Sequence, residues 1–151
     1  MVEHHDELVI RERVRDTYAR YTHAGDRFRL DELADCFADD GVLEIKGRPA
    51  VTGRAAIRSL LAGEDRPASD APPPRSVRHF VANLMFTSVT PTRVESTAYF
   101  QVLADLGDHG GLDHWGRYRD VLVPDGDRWV FRHRLVSVAA ALPGGWYAAR
   151  S

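Results

Sequence analysis

Residues 116–136 read GRYRDVLVPDGDRWVFRHRLV, two β-patterned runs on either side of a Pro-Asp-Gly-Asp turn. An Asp-Gly pair between such runs is a strong local hairpin signal, because the tight turns that match strand twist need positive φ at their centre. The pattern predicts strands over about 114–123 and 128–139. Working back along the chain, VTPTR at 89–93 is a second tight turn, separating strands over about 76–89 and 93–104. DLGDHGGLD at 105–113 is a longer, glycine-rich connection between the two hairpins. The second half of the chain is therefore a meander of long strands.

The first half is helical. Ile10, Val14, Thr17, Tyr18 and Tyr21 recur at i, i+4, i+7, i+8 and i+11, one face of a helix over 6–24 with Gly25 as its stop. His4 and His5 precede that helix as disordered residues, and one adjacent pair does not make a metal site. Asp31 caps a short second helix carrying Leu30, Leu33 and Phe37. The Asp-Asp-Gly at 39–41 turns the chain into a short strand, VLEIKG, and a third helix runs from 53 to 62, ended by Gly63. Residues 63–75, GEDRPASDAPPPR, combine prolines with no apolar period, which leaves a loop. Helices first and strands last define an α+β fold in which the helices cover one face of a mixed or antiparallel sheet.

With 151 residues, 44% of them hydrophobic, the chain suits one domain over 1–151, with a core at about 7–138. Twenty basic and 22 acidic residues, a net charge of −2, offer no electrostatic case for nucleic acid or an anionic membrane. No stretch approaches the ~20 apolar residues of a membrane span, and MVEHHDELVI is not a signal peptide. Cys36 is the single cysteine, so no intrachain disulfide forms; beside Phe37 it reads as a buried thiol compatible with a reducing cytoplasm. No spacing of His, Cys, Asp and Glu suggests a metal site, and no phosphate loop or nucleophile elbow is present, so the expectation is no metal and no cofactor.

SVRHFVANLMF, residues 76–86, places an imidazole in an apolar strand. By alternation Val77, His79, Val81, Asn83 and Met85 share one face, and neither face is cleanly polar, so the strand reads as covered on both sides. Buried polar groups need partners or a wet cavity. His79 and Asn83 therefore either bond a neighbouring strand or serve a reaction. GLDHWGRYRD, 111–120, repeats the question: His114, Gly116, Tyr118 and Asp120 share one face, while Asp113, Trp115, Arg117 and Arg119 share the other. Asp120 beside a histidine across the sheet makes an orienting or relay pair; alternatively the pair faces solvent. Gly116 suits a sharp bend of the sheet. His23 and Asp26 flank the helix end, where His23 either faces a pocket mouth or serves the helix C-terminus as a cation.

YARYTHAGDRFRLDELADCFADDGVLE, GRAAIRSLL, RHFVANLMF and GRYRDVLVPDGDRWVFRHRLV, in this order over about 7–138, resemble the nuclear-transport-factor-2-like superfamily and, within it, the SnoaL-like group that includes scytalone dehydratase. The resemblance implies a curved sheet wrapped around three helices as a cone whose interior is a ligand pocket. It implies dehydration, isomerisation or cyclisation of a polyketide-like or other polycyclic molecule, without metal or organic cofactor. The alternative it carries is a non-catalytic binding or assembly subunit, like the β-subunits of ring-hydroxylating dioxygenases. His79 matches the histidine of the family's His-Phe strand motif, an acid–base group. His23 falls where the family often has an aspartate, a departure from an aspartate–histidine pair. His114 lies near a second family histidine, and Tyr18 and Tyr21 lie on the helix that supplies pocket tyrosine. The expected catalytic set is then His79, His23, His114 and Asp120, with Tyr18, Tyr21, Asn83, Tyr118 and Trp129 against a hydrophobic small-molecule substrate; a pocket filled by Met85, Phe100 and Trp129 instead favours the non-catalytic reading. The extension 139–151, AAALPGGWYAARS, serves as a lid hinged at Gly144 and Gly145 or as an interface. A homo-oligomer, dimer or trimer, is favoured because a long meander leaves one face open.

Overall fold

Two helices precede the first two strands, and a third separates these from the long strands, in the computed structural model, which describes residues 4–151. α1 (His4–Asp26) buries Val14, Thr17, Tyr18 and Tyr21, the face its spacing predicts. It already includes His4 and His5, and it runs past Gly25. Gly25 serves packing instead: a Cβ there would stand 3.3 Å from Leu33 Cδ1. The stop falls at Phe28, which takes a left-handed φ of 55°. Its N–H donates to the Gly25 carbonyl at 3.0 Å and that of Arg29 to the Ala24 carbonyl at 2.9 Å. This is the Schellman pattern formed without a glycine. The added turn carries Asp26.

α2 (Leu30–Ala34) takes Asp31 into its first turn rather than at its cap, and Asp31 accepts from Arg58 Nε of α3 (Arg54–Ala62) at 2.8 Å. β1 (Phe37–Ile45) absorbs Asp39–Gly41, where the sequence predicted a turn. The strand is irregular there, because its register against the sheet slips between Phe37 and Val42 and a Cβ at Gly41 would meet the Phe131 carbonyl oxygen at 2.9 Å.

The curved, unclosed sheet has the order β2-β1-β6-β5-β4-β3, adding β2 (Val51–Thr52), β3 (Ser76–Val89), β4 (Val94–Asp105), β5 (Gly110–Asp125) and β6 (Arg128–Ala141). Its pairings are antiparallel except for β1 with β6, so the sheet is mixed. The 105–113 connection is shorter than predicted, since β5 begins at Gly110. Alternation on β4 buries Val94, Ser96, Ala98, Phe100, Val102 and Ala104 under the helices and turns Tyr99, Gln101 and Leu103 outward. Gly116 sits where the β5–β6 register slips, and a Cβ there would lie 2.0 Å from the Ser137 carbonyl oxygen. Only glycine allows that approach, and the bulge bends the sheet. Residues 63–75 form a loop, as their prolines require. α4 (Trp146–Ala149) folds back onto β5. Among the described residues no helix is long and apolar enough to cross a membrane. Cys36 is buried, and burial pushes its thiol up to about 11, which leaves it unreactive.

Candidate active site

One rung of the sheet joins His79 of β3, Val102 of β4 and His114 of β5 on the helix-covered face. Each imidazole is backed by a carboxylate. His79 Nδ1 lies 2.6 Å from Asp26 Oδ1, and the His79 backbone N–H donates to the same carboxylate at 3.1 and 3.2 Å. His114 Nδ1 lies 2.7 Å from Asp113 Oδ2. A carboxylate only accepts, so each Nδ1 carries the proton and each Nε2 turns away from its carboxylate. Among the described residues neither Nε2 has a hydrogen-bond partner.

Asp26, the partner of His79, is the residue of this candidate site that sequence patterning left least visible. The signal was there: Tyr18, Thr22 and Asp26 stand at i, i+4 and i+8 on one stripe of α1, whereas His23 falls off it. His23 is exposed. It lines a groove of about 450 Å³ between α1 and β3 with Asn83, apart from the histidine rung. Asn83 does not share the face of His79, because the strand bulges there. Asn83 takes φ 54° and the register slips between Ala82 and Met85, so Leu84 and Phe86 turn inward. Phe80 and Met85 lie exposed on the outer face, so β3 is covered on one side only.

Alternation puts Asp113 on the face opposite His114, but both are buried. The cause is a slip in the β4–β5 register between Val102 and Leu103 that leaves Asp113 as the extra residue. Its carboxylate also accepts the backbone N–H groups of Trp146 at 2.6 Å and Tyr147 at 3.1 Å. The C-terminal segment is thus held over the rung, with the Tyr147 ring stacked on His114 at 4.5 Å.

Among the described residues Asp120 has no histidine partner. It is paired with Arg134, Nε to Oδ1 and Nη2 to Oδ2, both at 2.8 Å, and it accepts the Tyr18 hydroxyl. Tyr18, Tyr21, Tyr118 and Phe131 surround the Arg134 guanidinium, with ring centres 3.9 to 4.8 Å away. Burial pushes all three phenols above their ordinary range, so they stay protonated at neutral pH. Trp129 is buried and its carbonyl accepts the Thr17 hydroxyl. Phe100 is buried too, stacked 4.5 Å from Tyr118, while Met85 is exposed. Among the described residues no group of three His, Cys, Asp or Glu side chains is placed to hold a metal ion.

Burial lowers the His114 pKa below the ordinary 6.5, against the opposing pull of Asp113, and the charge of His79 lowers it further. The unfolded chain therefore binds this proton more readily than the folded one. The contribution of neutral His114 to stability is present above about pH 6.5 and falls away as the pH drops toward the folded-state value. NMR titration of the imidazole should give His114 a midpoint below 6.5, and Asp113→Asn should lower it further. A midpoint at or above 6.5 contradicts this.

Cone-shaped folds of this kind recur among solved structures. A protein of Catenulispora acidiphila is 29% identical, with a TM-score of 0.77 over 89% of this chain and 95% of its own. A Catenulispora acidiphila structure in complex with S-DNPA is also 29% identical, with a TM-score of 0.72 over 87% and 94%. A putative scytalone dehydratase of Novosphingobium aromaticivorans shares the fold at 20% identity, with a TM-score of 0.75 over 89% and 87%. ActVI-ORFA of Streptomyces coelicolor does so at 23%, with a TM-score of 0.72 over 85% and 96%. Comparison with curated proteins gives no match. The SnoaL-like domain family matches residues 6–135, and the chain belongs to that family.

Proposed function

We propose that this protein is a cofactor-independent acid–base enzyme, a dehydratase, isomerase or cyclase acting on a polyketide-like or other polycyclic small molecule. The observation that carries this reading is the pair of carboxylate-backed imidazoles on one rung, each with an unengaged Nε2. In a dehydration, His79 Nε2 takes the proton next to the substrate carbonyl and then delivers it to the departing hydroxyl, which leaves as water. Asp26 holds the tautomer and stabilises the imidazolium formed between the two steps. His114, kept neutral by burial, accepts a hydrogen bond from a substrate hydroxyl. The Catenulispora structure with S-DNPA supports small-molecule binding by this fold. The test is α-proton exchange: wild-type protein in deuterium oxide should accelerate loss of the α-hydrogen signal of polycyclic ketones such as 2-tetralone. No acceleration across a ketone panel refutes the reading.

A non-catalytic binding subunit is the second reading, favoured by the buried Phe100 and Trp129 and by Tyr147 seated on His114. It predicts ligand binding without exchange. We also place the protein in a reducing cytoplasm, as a homodimer through the outer sheet face, where Phe80, Tyr99, Leu112 and Trp115 are exposed together. Trp115→Glu should convert a dimeric mass in light scattering to a monomeric one; a wild-type monomer at tens of micromolar contradicts the interface.

A further inference from the structure

The first part of the 63–75 loop and the C-terminal end of α4 line an open cavity of about 790 Å³ at the C-terminal end of α3. Three guanidiniums from separate parts of the chain line it: Arg48 after β1, Arg66 in the loop and Arg150 after α4. A Cβ at Gly63 would stand 3.5 Å from Arg150 Nη2 and 3.9 Å from Arg66 Nη1, so the two guanidiniums flank one point. Of the carboxylates on neighbouring segments, Asp31 and Glu64 pair with Arg58 and Asp39 with Arg54, while Asp65 forms no ion pair among the described residues. Asp65 and Ser151 also line the cavity, yet among the described residues none of the three arginines forms an ion pair. The Nε–H of Arg66 is buried and without a hydrogen-bond partner among them. Like charges held together with an unused buried donor are satisfied by an oxyanion, which accepts from several N–H groups at once.

We propose that this cavity binds the oxyanion of a small molecule, a carboxylate or a phosphate, through Arg48, Arg66 and Arg150. Burial, then Arg66 and Arg48, lower the Arg150 pKa, a repulsion that a bound anion relieves. Arg150 stacks over Trp146 at 4.8 Å, on the same short helix whose Tyr147 covers His114. The anion site therefore adjoins the segment lying over the histidine rung, and the ligand is an acidic molecule held beside that segment. This rests on the acid–base reading only in taking that molecule to be the substrate.

Calorimetric titration of the full chain with inorganic phosphate and with 2-naphthoate tests the site. Wild-type protein should bind at least one of them, more weakly as salt rises. Arg66→Gln and Arg150→Gln should each weaken binding about tenfold to a hundredfold, the range for a charge-assisted hydrogen bond. Arg117→Gln, on the outer face, should leave it unchanged. Preference for naphthoate identifies a carboxylate ligand and preference for phosphate a phosphorylated one. Where Arg66→Gln does not fold, Arg48→Gln takes its place. Absence of binding to either probe, unchanged affinity in the arginine variants, or an equal loss in Arg117→Gln overturns the proposal. Wild-type protein that binds an anion probe yet accelerates no α-proton exchange removes the enzyme reading and leaves this site standing.

Discussion

His79→Asn is expected to slow α-proton exchange by about 10²–10⁴-fold, the usual contribution of a positioned acid–base group, while circular dichroism and the thermal midpoint stay near wild type. The fold should tolerate the change because the backbone N–H of His79 keeps its own bonds to Asp26 and the strand keeps its register with β4. Asp26→Asn should produce a smaller loss. An amide can donate as well as accept, so it no longer fixes which imidazole nitrogen carries the proton. The pH–rate profile separates a chemical role from a packing one. Wild type should show an ionisation that His79→Asn lacks, and binding of a ketone measured apart from exchange should survive. Near-wild-type exchange in His79→Asn makes this a structural histidine. Parallel loss of binding and exchange, with a lowered thermal midpoint, assigns it to packing.

Alternation and turn chemistry made the strands legible, and helical periodicity identified the buried face of α1. Bulges decided where that legibility ended. Up to Val81 the alternation on β3 is correct; at Asn83 one extra residue reverses it, and the expected pairing of His79 with Asn83 on one face disappears. A slip of one residue exchanges the two faces of a strand. The same effect brought Asp113 inward beside His114, and no local pattern announces it. Arg134 was invisible for a related reason. The β5–β6 register slips between Val121 and Leu122, so β6 buries Phe131 and then Arg134, breaking the two-residue period. Asp26 depended on where α1 ends, and that end is set by Phe28 adopting a conformation usually left to glycine. The parallel contact of β1 with β6 joins segments some ninety residues apart; long-range partners of this kind are chosen by the packing of the whole domain.

Asp120→Ala is expected to destabilise the fold by about 3–5 kcal/mol, because removing one partner of a buried ion pair leaves the other charge uncompensated. For a chain of this size that is a fall of roughly 6–20 °C in thermal midpoint. Burial works against the charge of Arg134, and the Asp120 carboxylate more than restores it, holding the guanidinium pKa well above its ordinary value. An arginine keeps its proton in proteins, so without Asp120 the guanidinium stays charged and uncompensated in the core, with Nη1 already unpartnered and only aromatic faces around it. Cation–π contacts offset part of that cost, on the order of 2 kcal/mol where water is excluded. The Tyr18 hydroxyl loses its acceptor in the same variant and retains Ser96 Oγ at 3.2 Å. Asp120→Leu combined with Arg134→Met should recover much of the loss, since apolar side chains of similar volume often replace a buried ion pair without cost. Surface pairs such as Arg20 with Asp16 provide the comparison: Asp16→Ala should change stability by less than about 1 kcal/mol. Activity separates the structural role from the catalytic one first expected of Asp120. A structural Asp120 gives a double variant that folds and still exchanges α-protons through His79. A thermal midpoint lowered by less than about 3 °C in Asp120→Ala, by the same scaling, with exchange abolished, would return Asp120 to the reacting groups.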